Sequence, residues 1–294
     1  MPIHDELGKR MKEYYEGIPK TKLMRRSPVL IRIDGRSFHS FTKGLKRPFD
    51  RVLMSSMQET MKYLCENIQG AVLGYHQSDE ISICLVDYKR FNSSAFFDYE
   101  VQKVCSISAS MATAAFTKFF YRISQSEIHR ISQSDVVTKD EEAYKGVLLR
   151  KQDLFPQFDA RCFNIPKEEV ANYFYWRQLD ATRNSIEMVG QANFSHKELH
   201  KRSCNMIQDM LHEQKGINWN DFSIPEKRGT CCYKEYYWID KEGNEYPFDS
   251  VDIEDKSTYE NKSLRSRWII DKEIPIFKNE NRVYIDQWLE PEEF

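Results

Sequence analysis

The chain has 294 residues, of which 30% are charged and 40% hydrophobic, with a formal net charge of −2. That length supports a buried core in one large domain or two modest ones, and the balance excludes a disordered or uniformly basic chain. The longest apolar runs, such as 28–31 and 71–74, are strand-sized, so no membrane-spanning helix is expected; His4, Asp5, Glu6, Lys9 and Arg10 occupy the place of a leader's apolar stretch, and a cytoplasmic protein is expected.

In chain order, Pro28–Ile33 is an apolar, β-branched run that ends at Asp34-Gly35, which predicts a buried strand stopping at a turn. Val52, Leu53, Met57, Met61, Leu64, Cys65 and Ile68 recur at three and four residues, so 50–68 reads as an amphipathic helix that Gly70 stops. Ala71–Tyr75 and Ile81–Val86 read as two strands joined by a hairpin at 76–80. A long helix rich in Ala, Ser and Met is expected at about 93–121. Residues 122–153 are polar and carry Arg-Ile-Ser-Gln-Ser twice, at 122–126 and 130–134; they read as an exposed excursion. A strand near 160–165 follows, then helices at about 166–193 and 195–215, the second opened by a Ser195/Glu198 capping box. Strand-like pieces are expected at 230–238 and 274–285. The order strand–helix–strand–strand–helix predicts an α+β fold built on a ferredoxin-like split βαβ sheet, with a helical C-terminal half. The chain divides into segments 5–135, 136–235 and 236–294.

Cys65, Cys84, Cys105, Cys162 and Cys204 lie in apolar patterns, and the adjacent Cys231 and Cys232 form no Cys-x-x-Cys pair, so free thiols are expected, not zinc or disulfides. Charge is unevenly distributed. From Lys9 to Arg51 the cations far outnumber Glu13, Glu16, Asp34 and Asp50, whereas the chain ends in Glu290, Glu292 and Glu293. This asymmetry points to a local polyanion site.

Asp34 ends the first strand and Asp79 lies in the hairpin joining the next two. In a split βαβ sheet these strands are neighbours, so both carboxylates can meet at one edge. Magnesium uses one or two carboxylates together with substrate phosphates, and two such ions about 4 Å apart could activate a hydroxyl and stabilise leaving pyrophosphate. Gly35 permits close backbone approach and offers its carbonyl as a ligand. The same dipeptides also serve as plain turns, and spacing alone does not separate the two uses. Arg32, Arg36, Lys43, Lys46 and Arg47 supply the cations a triphosphate needs. His39 and His76 flank the acidic motifs, where base or phosphate contact and ordinary packing are both open. His196 and His200 could form a metal pair, though phosphate contact beside Lys197 and Lys201 suits them better. Trp176 and Tyr175 share a helical pattern with Phe174 and read as core.

Three motifs, Arg32-Ile-Asp-Gly-Arg-Ser-Phe-His39, Gln77-Ser-Asp-Glu80 and Tyr175-Trp-Arg-Gln-Leu-Asp180, match in order and spacing the tRNA-histidine guanylyltransferase family, which this chain resembles over roughly 5–235. Leu7–Lys12 and Phe158–Arg161 look like family segments too, whereas 236–294 adds little. The resemblance implies a polymerase-type palm that adds nucleotides 3′-to-5′ onto a tRNA 5′ end, with ATP or GTP as substrate. It implies two Mg2+ ions on Asp34, the Gly35 carbonyl and Asp79, with Glu80 as a further acidic catalytic position. It implies nucleotide contacts from Asp34, Gly35, Arg36, Ser37, Phe38, His39, Ser78 and Asp79. Phosphate or tRNA contacts would come from Arg32, Lys43, Lys46, Arg47, Asn184, Lys197, His200 and Lys201, and the assembly would be a homotetramer. Where histidine-specific members carry His-Ile-Asn-Asn, this chain has Thr182-Arg183-Asn184-Ser185, which resembles the like-protein branch that repairs truncated tRNA by template. Non-templated guanosine addition to histidine tRNA, a palm-type cyclase or dinucleotide synthase, and a catalytically silent tRNA-binding module are the alternatives.

Overall fold

The computed structural model describes residues 6–250 and 258–291; His4, Asp5, Glu292 and Glu293 lie outside them. Helix α1 (Glu6–Met11) runs into a π-helical turn, and the β-branched run after Pro28 forms β1 (Val29–Gly35). After α2 (Phe38–Thr42), α3 (Arg51–Asn67) starts at Asp50, whose carboxylate accepts from the Leu53 amide and caps the helix. β2 (Ala71–Gln77) and β3 (Glu80–Leu85) form the expected hairpin, paired down to Gln77 opposite Glu80, so that only Ser78 and Asp79 make its tip. Then come α4 (Val101–Ser132), α5 (Lys139–Gln152), β4 (Phe158–Asn164), α6 (Val170–Asn193), α7 (His196–Leu199), α8 (Cys204–Lys215), α9 (Ile224–Arg228), β5 (Thr230–Asp240), β6 (Glu245–Pro247), β7 (Lys262–Asp271) and α10 (Val283–Asp286).

β1 lies antiparallel between β3 and β4, and β2 pairs antiparallel with β3. β1 and β2 are therefore parallel with β3 inserted between them, the split βαβ order expected from the sequence. β5 extends the sheet from β2, with β7 along its other side and β6 on its far end, so one sheet runs through strands from residue 29 to residue 271. Alternation along the strands divides the core. Val29, Ile31, Ile33, Ile81, Ile83 and Leu85 face α3 and α4, while Leu30, Cys84, Leu73 and Tyr75 face α6 and the C-terminal Ile274, Phe277, Ile285 and Leu289.

Four expectations are corrected. The long helix begins at Val101, not near 93, because Phe97 and Asp98 take positive φ, and it runs on to Ser132. The supposed excursion is that helix end plus α5, which opens on a Thr138/Glu141 capping box and buries Tyr144 and Leu148. Its apolar stripe, Tyr144, Val147 and Leu148, is too narrow to stand out among the surrounding charges. The 195–215 helix is two helices, since Lys201 has φ 59° and Ser203 caps the second. Residues 274–285 are not a strand. The strand is β7, whose charged, largely exposed face hides its alternation, whereas Ile274 and Phe277 pack as core residues around Pro275.

Candidate active site at the Asp34 and Asp79 sheet edge

Counting along β1 from the buried Leu30, Arg32 and Asp34 fall on the face that meets α6. Asp34 stands opposite Glu80 on β3 and Asp159 on β4. The Gly35 amide donates to the Asp79 carbonyl at 3.1 Å, which ties the end of the first strand to the hairpin tip. Ser78, held at φ 51°, is exposed, and its hydroxyl donates to Asp79 Oδ1 at 3.0 Å. The two acidic groups expected to work together do share one sheet edge. Burial, followed by the nearby negative charge of Asp34, pushes the Asp79 carboxyl above the usual range. Arg177, Arg32 and Arg161 stand near this edge, but Arg177 and Arg161 pair with Glu80 and Asp159, and Arg32 approaches Glu80 at 3.9 Å. Two mutually repelling carboxylates beside the Gly35 carbonyl are an all-oxygen set suited to a hard divalent cation.

Gly35 is required here by contact. A Cβ on it would lie 2.3 Å from Cδ2 of Phe38, whose ring is locked among Phe41, Phe116 and Phe158. Phe38, expected as a nucleotide contact, is therefore a core side chain that leaves only its backbone near the site. Of the two uses left open for His76, packing is the one found. It is buried, with Nε2 donating to the Ser78 carbonyl at 3.0 Å and Nδ1 paired with the Thr230 hydroxyl at 3.3 Å, so both ring nitrogens are engaged in bracing the tip. Gly229, at φ 86°, makes room for that brace, since a Cβ there would stand 2.3 Å from the His76 carbonyl.

Glu80 is not free to act as an acid or base. Both its oxygens accept 2.6 Å bonds from Arg177 on α6. Its carboxyl is raised by burial and drawn back down by that guanidinium. Arg177 also donates to Asp180 at 2.8 Å, Asp180 pairs with Arg183, and the Arg177 guanidinium lies 4.5 Å from the Trp176 ring centre. Trp176 is 52% exposed, so its reading as core is overturned, while Phe174 beside it is buried. Only the Arg177 half of this clamp is legible in the sequence. Arg177 falls on the buried stripe of α6 with Phe174, Gln178 and Ala181, and a cation there needs a carboxylate partner.

The expected phosphate cations do not converge. Asn184 lines one cleft with Ser78, Asp50, Leu53 and Arg228. Lys46 faces a separate cavity of about 680 Å³ between α3, α4 and α5, where it lies 3.5 Å from Glu127 and over the Tyr144 ring. Arg36 donates to Gln157 at 2.8 Å beside a third groove. Ser37, His39, Lys43 and Arg47 are exposed around the 35–50 loop. Lys197, His200 and Lys201 lie on α7 and the turn after it, beyond the end of α6, and line none of these cavities. Among the described residues no third His, Cys, Asp or Glu gathers with His196 and His200 as a metal set.

A split βαβ sheet carrying paired carboxylates at the end of its first strand and at the following hairpin is the architecture of a palm-type nucleotidyltransferase. The family model for tRNAHis guanylyltransferase (Thg1) matches residues 8–166, and the chain belongs to that family. A bacterial tRNA(His) guanylyltransferase (Thg1)-like protein solved in complex with ATP is 39% identical, with a TM-score of 0.73, over 97% of this chain and 99% of its own. Such a protein solved in complex with GTP is 38% identical with a TM-score of 0.68, at the same coverage. A probable tRNA(His) guanylyltransferase of Dictyostelium discoideum is 26% identical over 220 residues, 70% of this chain and 75% of its own length. The structural likeness thus extends through 236–294, where the motifs had added little. No helix among the described residues is long and apolar enough to cross a membrane.

Proposed function

We propose that the protein adds nucleotides in the 3′-to-5′ direction to the 5′ end of tRNA, choosing them by pairing with the opposite strand. The observation that carries this reading is the meeting of Asp34 and Asp79 at one sheet edge, bonded through the Gly35 amide and the Asp79 carbonyl. Asp34, Asp79 and the Gly35 carbonyl would hold two Mg2+ ions. When bound, these ions supply charge neutralisation for the phosphates and activation of the attacking hydroxyl. The residues of the chain hold and orient. Ser78, exposed at the tip, reaches a triphosphate, and Arg32 offers a cation beside Asp34 on the same face of β1. His76 and Gly35 keep the tip and the strand end fixed, so that substrate meets a prearranged oxygen set.

ATP and GTP, the ligands of the two bacterial relatives, are the nucleotides expected for activation and addition. Thr182 and Arg183 stand before Asn184 in the cleft-lining turn of α6, in place of the histidine-specific pattern, which favours template-directed repair over guanosine addition confined to histidine tRNA. Lys197, His200 and Lys201, exposed on α7 and the turn after it, offer tRNA backbone contacts, and a cytoplasmic homotetramer completes the reading.

The test is nucleotide addition to two 5′-labelled substrates with Mg2+ and ATP: histidine tRNA lacking its extra guanosine, and a tRNA missing its first nucleotide opposite each of the four bases. Addition that follows the template on the truncated tRNA, and that is lost in Asp34→Asn, is the expected result. Guanosine added only to histidine tRNA overturns the repair reading; addition unchanged in Asp34→Asn overturns the metal site.

A further inference from the structure

The Ser78-Asp79 tip is a two-residue turn with a non-glycine residue at positive φ, so its geometry depends on anchors from outside the hairpin. His76 and Thr230 brace it from the β5 side and Gly35 from the β1 side. The anchor from the helical layer is Glu80, the residue directly after Asp79, gripped through both carboxylate oxygens by Arg177 at 2.6 Å. Both side chains are only 7% exposed. A buried ion pair is poor value as a stabiliser, since well-packed apolar residues of similar volume commonly hold a fold as well or better. What a bidentate pair supplies is a fixed distance and angle between two elements. Arg177 is itself fixed, by Asp180 at 2.8 Å and by its stacking on Trp176. One and two helical turns further along α6, Ala181 and Asn184 line the cleft that contains Ser78.

We propose that Arg177 is a positioning residue: through Glu80 it sets the Asp79 hairpin against α6, so that the metal-binding edge and the Asn184 cleft keep one geometry. This rests on the reading of Asp34 and Asp79 as the metal site. Neither Arg177 nor Glu80 touches the reacting atoms. The pair acts as an outer support, and loss of such a support typically lowers metal affinity or activity on the order of tenfold or more.

The experiment uses the full chain with the paired replacement Glu80→Leu/Arg177→Met, which removes both charges and keeps the volume, beside Arg177→Lys and Asp34→Asn. Mg2+ binding is read without nucleotide, as the rise in Tm across a Mg2+ titration, and nucleotide addition is read separately as kcat, KM for tRNA and Mg2+ requirement. The expected result for the double variant is a metal-free Tm close to wild type, Mg2+ affinity weakened about tenfold, a matching fall in kcat and an unchanged KM for tRNA. Arg177→Lys, which keeps the cation but loses the fork, should fall between the two. Wild-type Mg2+ affinity and kcat in a folded double variant overturn the inference. If that variant does not fold, wild-type values in Arg177→Lys overturn it equally, and weakened ones support it. Should Asp34→Asn retain both Mg2+ binding and addition, the metal-site reading itself fails, whatever the pair does.

Discussion

With both ring nitrogens engaged and the ring buried, His76 stays neutral, its pKa lowered by burial to about 4. In the unfolded chain the ring titrates near 6.5. Between those values the unfolded chain binds a proton that the folded one refuses, so stability is intact above about pH 6.5 and falls as the pH drops through the window. The linkage amounts to about 2 kcal/mol by pH 5. Urea unfolding at pH 7 and pH 5 should therefore show a larger loss in wild type than in His76→Gln, and equal losses would remove the brace from the account. Asp79 has the opposite sign. Its carboxyl is raised, so its contribution is present below the usual carboxylate range and is lost as pH rises through the higher folded value. At neutral pH the metal-free edge is thus electrostatically strained, as a site built for a cation should be. Residue identities exposed this edge in the sequence, because two acidic turns lie among many cations. They could not say that His76, Phe38 and Glu80 face inward, since each neighbours residues that face out.

At the scale of elements, α5 illustrates how a short apolar stripe can be structural. Leu148 is fully buried, and the Tyr144 hydroxyl donates to Asp50 at 2.8 Å, the same carboxylate that caps α3 and accepts from the Lys46 amide. The polar segment after α4 therefore secures the start of the helix that crosses from β1 to β2. Leu148→Ala should cost about 2–5 kcal/mol, the usual range for a buried leucine truncated in a packed core. A urea midpoint unchanged from wild type would instead make α5 the loose excursion its composition suggests. Period and caps made most elements readable, including β1, α3 and the β2–β3 hairpin. β7 and α5 were hidden because half of each faces solvent with mixed charge, and local pattern carries little of their stability.

On the scale of the whole molecule, a bound cation would relieve the repulsion between Asp34 and Asp79 and so couple folding to metal. A ligand at about 100 times its Kd adds roughly 2.7 kcal/mol to the folded state. Mg2+ should accordingly raise the Tm of wild type and leave Asp34→Asn unmoved, while the metal-free Tm of Asp34→Asn should equal or exceed that of wild type, because a like charge has gone. A calorimetric scan with Mg2+ or EDTA checks both, and equal Mg2+ shifts in the two proteins would contradict the assignment. The sequence by itself determined the split βαβ sheet and the placing of Asp34 at a strand end and Asp79 in the neighbouring hairpin, because hydrophobic period and turn residues act over a few positions. It also carried the family, through three motifs in register. Only the tertiary structure decided that Glu80 belongs to Arg177, that Lys46 and Arg36 face different cavities, and that β5 and β7 continue the sheet. These are contacts between residues as far apart as Leu73 and Tyr233, and burial and charge pairing across that separation leave no local pattern to read.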